Sequence, residues 1–107
     1  MDLVWSIPGR SLDLLKIREE GVRIATSYEG LSVEVEQEDT DCISLFYVVP
    51  QGERGDAEVE ISIYDLGRDG LVLSLEPDAA DNEGAWEDAA QLAEDLSEAL
   101  GGRPLDV

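Results

Sequence analysis

Between residues 57 and 76 the apolar side chains recur at every second position. Val59, Ile61 and Ile63 alternate with Glu58, Glu60, Ser62 and Tyr64; after a break, Leu71, Leu73 and Leu75 alternate with Val72, Ser74 and Glu76. A period of two puts one set of side chains on one face of a strand and the other set on the opposite face, an arrangement no helix can use. The intervening Asp65-Leu66-Gly67-Arg68-Asp69-Gly70 carries two glycines that accept positive φ, so the pair reads as an antiparallel hairpin.

The same period extends upstream. Leu31, Val33 and Val35 alternate with Ser32, Glu34 and Glu36, while Ile43 to Val49 is apolar at nearly every position and reads as a strand buried on both faces. Gln37 to Asp41 and Pro50 to Asp56 are the polar connections, which gives a four-strand meander over residues 31–76. Val22, Ile24, Thr26 and Tyr28 extend the alternation as a fifth strand turned by Glu29-Gly30, and Leu105-Asp106-Val107 reads as a short edge strand. Near residue 80 the period changes: from Glu83 to Leu100, Trp86, Ala89, Ala93, Leu96 and Leu100 recur at helical spacing, with Asp81 or Asn82 as N-cap and Gly101-Gly102 before Pro104 as the stop. The stretch 11–20 fits either a helix opened by Ser11 and closed at Gly21 or a strand; the helix is favoured. The expected fold is α+β, an antiparallel sheet of four to five strands with a C-terminal amphipathic helix, and a second helix near the N-terminus, packed on one face.

At 107 residues the chain is expected to form a single domain, 1–107, burying roughly 65% of the surface its unfolded form exposes. No run approaches the roughly 18 apolar residues of a membrane span, and Met1 to Ser6 lacks a basic segment followed by an apolar one, so a cytoplasmic protein without membrane contact is expected. One cysteine, Cys42, excludes an internal disulfide and reads as a small buried hydrophobe. Phe46 and Val48, on the second face of the 43–49 run, need cover, for which Trp5 and Ile7 are the candidates.

The charge narrows function. Twenty-six acids against seven cations give a formal net charge of −19, and only Lys16 among the cations is a lysine. A field of that sign repels phosphate, so neither nucleic acid nor an anionic membrane is an expected partner. With no histidine the Ser-His and Cys-His nucleophile pairs are impossible, and no glycine-rich phosphate loop is present. Carboxylate chemistry would need an acid in an apolar pocket, which 26 solvated acids do not imply. The acidic loops Asp39-Thr40-Asp41 and Asp78 to Gly84 do not match the EF-hand pattern. The chain is expected to be no enzyme and to carry no cofactor or metal site.

What remains is the placement of the acids. Glu34, Glu36, Glu58, Glu60 and Glu76 all occupy the non-core parity of their strands and should share one sheet face. Like charges across a sheet cost about 0.2–1 kcal/mol per pair, so folding alone does not favour the set. Two function classes fit. One is a small acidic interaction or regulatory domain of a high-salt, halophilic cytosol, where acidity serves solubility; the other is an inhibitor or immunity-type protein whose carboxylates neutralise a basic partner, such as a nuclease, by standing in for phosphates. Both share one physical consequence. Because long-range self-repulsion is screened by salt, the melting temperature, followed by circular dichroism, should rise steadily with sodium chloride concentration. A melting temperature that falls with salt would mean that attractive ion pairs dominate instead.

Overall fold

The computed structural model describes residues 3–9, 11–28, 30–50, 52–76 and 83–105. The alternating stretch folds as the expected meander: β2 (Ser32–Asp39), β3 (Cys42–Pro50), β4 (Asp56–Asp65) and β5 (Leu71–Leu75), each antiparallel to the next. Val59, Ile61 and Ile63 of β4 point the same way as Leu73 and Leu75 of β5, and all are fully buried. Gly67 and Gly70, at φ +68° and +85°, make the β4–β5 connection, and the Gly67 amide donates to the Asp65 side chain at 2.8 Å.

Two further strands complete the sheet. β1 (Leu3–Ile7) pairs with β5, and the two-residue β6 (Arg103–Pro104) pairs with the far side of β1, giving the order β2-β3-β4-β5-β1-β6. The sheet therefore has six strands where four to five were expected. The fifth is β1 and not residues 22–28, and the terminal edge strand lies two residues earlier than Leu105, whose amide donates to the Val4 carbonyl at 2.9 Å. Asp106 and Val107 fall outside the described residues.

Residues 22–28 belong instead to α1 (Leu14–Thr26) and its C-terminal cap. Asp13, not Ser11, caps the helix, its side chain accepting from the Lys16 amide at 3.1 Å. The buried stripe is Ile17, Gly21, Ile24 and Ala25, so Val22 of the supposed strand face is exposed. β-Branched residues disfavour a helix by only tenths of a kcal/mol each, and burial of this stripe overrides them. Gly21 does not end the helix because it is a contact point. A Cβ there would stand 2.7 Å from Leu45 Cδ2, and its carbonyl accepts the buried Tyr47 hydroxyl at 3.2 Å.

α2 (Glu83–Ala99) covers β4, β5 and β1 through Ala85, Ala89, Leu92, Ala93 and Leu96, with Leu100 just past its end, all buried, and Trp86 half-buried against the same core. It ends as the glycine pair requires: Gly101 takes φ +77°, the Gly102 amide donates to Ser97 O at 2.7 Å and the Gly101 amide to Glu98 O at 3.0 Å. The proposed caps Asp81 and Asn82 lie outside the described residues. Gly102 then passes so close to β1 that a Cβ would meet Ser97 Oγ at 2.5 Å and Ile7 Cδ1 at 2.6 Å.

Both helices lie on the same sheet face. Trp5 and Ile7 point into this core, three strand positions from β3, and so do not cover Phe46 and Val48. Nor is β3 buried on both faces: Ile43, Leu45, Tyr47 and Val49 are buried beneath the helices, whereas Phe46 and Val48 are half-buried on the other side.

Two substitutions test this packing. Leu96→Ala should cost about 2–5 kcal/mol in denaturant unfolding. Gly21→Ala should destabilise by about 1–3 kcal/mol despite the helix propensity of alanine, because Leu45 is fully buried and cannot yield without repacking. A stabilised Gly21→Ala variant would show that α1 does not sit this close to β3.

Candidate functional site

The face of the sheet away from the helices forms a continuous set of cross-strand rows. Glu34 of β2, Phe46 of β3 and Glu60 of β4 stand side by side; Ser32, Val48 and Glu58 form the next row. A third row runs Glu36, Ser44, Ser62, Ser74, Val4, and a fourth runs Cys42, Tyr64, Val72, Ser6, Arg103. At the β2 end a groove of about 470 Å³ is lined by Ser32, Glu34, Glu36, Phe46, Val48 and Glu58. Glu34, Glu36, Glu58 and Glu60 are exposed, while Phe46 and Val48 between them are half-buried.

Four of the five carboxylates singled out by strand parity are thus brought together on one face. Glu76 is exposed one residue past β5, and the β4–β5 register ends at the Ser62–Ser74 pair. Sequence reasoning missed what the acids surround: Phe46 and Val48 were assigned to a covered face, yet they form the apolar centre of the acidic end. Their alternation with Leu45, Tyr47 and Val49 was the available signal. At the other end the face carries no carboxylate in its central strands: Ser44, Ser62 and Ser74 are flanked by Tyr64 and Val72, Arg103 stands at the far edge, and Ser44 is almost wholly buried. Cys42 is half-buried on this face, so it is not the enclosed small hydrophobe expected.

A second concavity lies where the C-terminal ends of the helices meet, lined by Arg23, Ile24, Ser27, Tyr28, Asp95, Glu98 and Ala99. The Tyr28 hydroxyl donates a short hydrogen bond to Asp95 Oδ2, and Gln91 Nε2 donates to Oδ1 at 2.9 Å, so both oxygens of this carboxylate are engaged. Arg23 is tied to Glu20 on its own helix. The hydrogen bond to Asp95, with burial and the charges of Asp95 and Asp88 adding to it, pushes the Tyr28 hydroxyl up to about 12. Burial, with the charge of Asp95 second, raises Tyr47 as well. Both phenols are held in the protonated state, the opposite of what a phenolate base requires. The cleft fastens α1 to α2.

Among the described residues no group of three or more Cys, Asp or Glu side chains is arranged to hold a metal ion, and no helix is long and apolar enough to cross a membrane. Residues 78–82 of the second acidic loop are not among those described. Compared with protein-family models and with curated protein sequences, the chain matches none.

The tyrosines give a pH prediction with a definite sign. A phenol whose folded pKa lies above its usual 10.0 stabilises the fold fully below pH 10, and that contribution is lost as pH rises toward 12. Stability measured by urea unfolding should therefore fall between pH 10 and about 12, and Tyr28→Phe should flatten part of that fall. A normal Tyr28 titration near 10 in ultraviolet difference spectra would remove the Asp95 hydrogen bond from the account.

Proposed function

We propose that this chain is a non-enzymatic interaction domain that binds a basic protein through the β2 end of its open sheet face, in the manner of an inhibitor or immunity-type protein. The observation that carries the reading is the grouping of Glu34, Glu36, Glu58 and Glu60 around Phe46 and Val48 on the face opposite α1 and α2. Protein interfaces pair an apolar centre with a polar rim, and complementary charge accelerates encounter. An acidic rim selects a partner rich in Lys and Arg, and a nuclease's substrate-binding surface has that chemistry. With no histidine in the chain, the reading assigns the carboxylates to recognition and not to catalysis.

A second reading is supported by α2. Its outer positions Glu87, Asp88, Glu94 and Glu98 are exposed as well, so acidity is not confined to the sheet. Acids near a helix C-terminus oppose the macrodipole, and α2 has no basic residue in its last turn. That distribution fits a surface adapted to a high-salt, halophilic cytosol, on which recognition by the open face is superimposed.

Two double reversals of equal charge separate the readings. Glu58→Lys/Glu60→Lys changes the sheet face; Glu87→Lys/Glu94→Lys changes the helix by the same amount, and all four side chains are exposed. Against a panel of small basic proteins that includes nucleases, the sheet reversal should slow association and weaken binding about tenfold or more than the helix reversal does, with a difference that shrinks as salt rises. Equal losses from the two would identify the acidity as uniform solvated surface.

A further inference from the structure

β2 is an edge. Seven of its eight residues pair with β3 on one side, with a register shift between Gln37 and Asp39, and among the described residues no strand pairs with the other; the opposite edge, β6, has only two residues. An outermost strand presents a row of N–H and C=O groups that another strand can complete. What flanks this row differs above and below. On the open face are Glu34 and Glu36, exposed; on the helix side are Val33 and Val35, half-buried against the core.

Helix α1 extends the apolar side. Arg23 and Ser27 line the cleft with Asp95 and Glu98 of α2, and Lys16 lines a cavity with Leu100, so that flank of α1 faces α2. At about 100° per residue, Leu15, Arg18 and Val22 fall on the opposite flank, on the β2 side of the molecule. There Leu15 is 76% and Val22 45% exposed, the largest exposures of apolar side chains on this helix. The edge thus has Leu15 and Val22, with Arg18 between them, above the half-buried Val33 and Val35 on one side and carboxylates on the other.

We propose that β2 is the docking edge for an extended segment of the basic partner, which adds to the sheet as a seventh strand with apolar side chains on the helix side and Lys or Arg beside Glu34 and Glu36. This inference deepens the preceding reading and rests on it. Alternate residues of a strand lie about 7 Å apart and on one face, so a segment alternating basic and apolar residues meets both surfaces at once. A second copy of this chain is the wrong occupant. Its own β2, paired here, would bring Glu34 and Glu36 against the same acids, which like-charge repulsion opposes. The carboxylates therefore reject self-pairing and select a cationic strand with the same atoms.

The test uses the full chain and two capped peptides as long as β2, both with equal numbers of lysine and valine, one alternating and one with the residues in two blocks. At physiological salt the alternating peptide should bind about tenfold tighter or more, and hydrogen exchange followed by NMR should slow at β2 amides and not at β6. The preference should survive Glu58→Lys/Glu60→Lys, which lie two strands away, and disappear in Glu34→Lys/Glu36→Lys. If the two peptides bind equally and β2 amides are unprotected, strand addition is overturned while docking of a basic protein on the sheet face stands. If neither peptide binds, strand addition is overturned, and the reversal experiment on β4 decides the wider reading separately.

Discussion

The architecture depends on the two crossover connections having the same hand. β1 and β2 run in the same direction with three strands between them, and α1 joins them; β5 and β6 run in the same direction with β1 between them, and α2 joins those. The second path is the first turned by half a rotation in the plane of the sheet. With both helices on one face the two crossovers share one hand, as parallel connections overwhelmingly do. Among the described residues, one face therefore receives both helices and the other receives neither. The mixed character of the open face, with Phe46, Val48, Tyr64 and Val72 among serines and glutamates, follows from its being wet yet close-packed along the strands.

The covered face is held by approach distances that tolerate no extra atom. α1 lies on β3 at Gly21, where Leu45 and the Tyr47 hydroxyl occupy the space a side chain would take, and the chain leaving α2 crosses β1 at Gly102. Tyr28, Asp95 and Gln91 then link α1 to α2 at the surface. The open face, by contrast, is shaped by charge. Phe46, Val48 and Ser44 of β3 separate the glutamates of β2 from those of β4, so none stands directly opposite another as strand parity alone had suggested, and what opposes the set is the longer-range repulsion of a surface with a net charge of −19. A fold stabilised from one side can carry such a face on the other, because its acids lie outside the packed core and their cost is screened by salt or relieved by a cationic partner.

Much of this is legible in the sequence. The meander could be read because three of its strands alternate and the fourth, Ile43 to Val49, is a short apolar run between polar turns, and α2 because its apolar stripe ran on to a glycine pair that stops a helix. α1 was harder. Val22, Ile24, Thr26 and Tyr28 carry a strand-like alternation, while the helical stripe through Ile17, Gly21, Ile24 and Ala25 includes a glycine that local reasoning takes for a terminator. β1 was overlooked because five residues containing Trp5 and Ile7 satisfy a strand and a loose apolar cover equally well. For the candidate site, parity alone grouped Glu34, Glu36, Glu58 and Glu60, but it could not say that Phe46 and Val48 stand uncovered among them.

The sequence by itself determined which side chains go in and which go out along β2, β4 and β5, since a period of two leaves no freedom there, and it determined the sign and size of the charge. Only the tertiary structure decided which sheet face the helices cover, which strand ends as an open edge, and which acids become neighbours. Those are relations between segments far apart in the chain. They are set by crossover handedness and by the close approach of backbones at Gly21 and Gly102, neither of which leaves a trace in local periodicity.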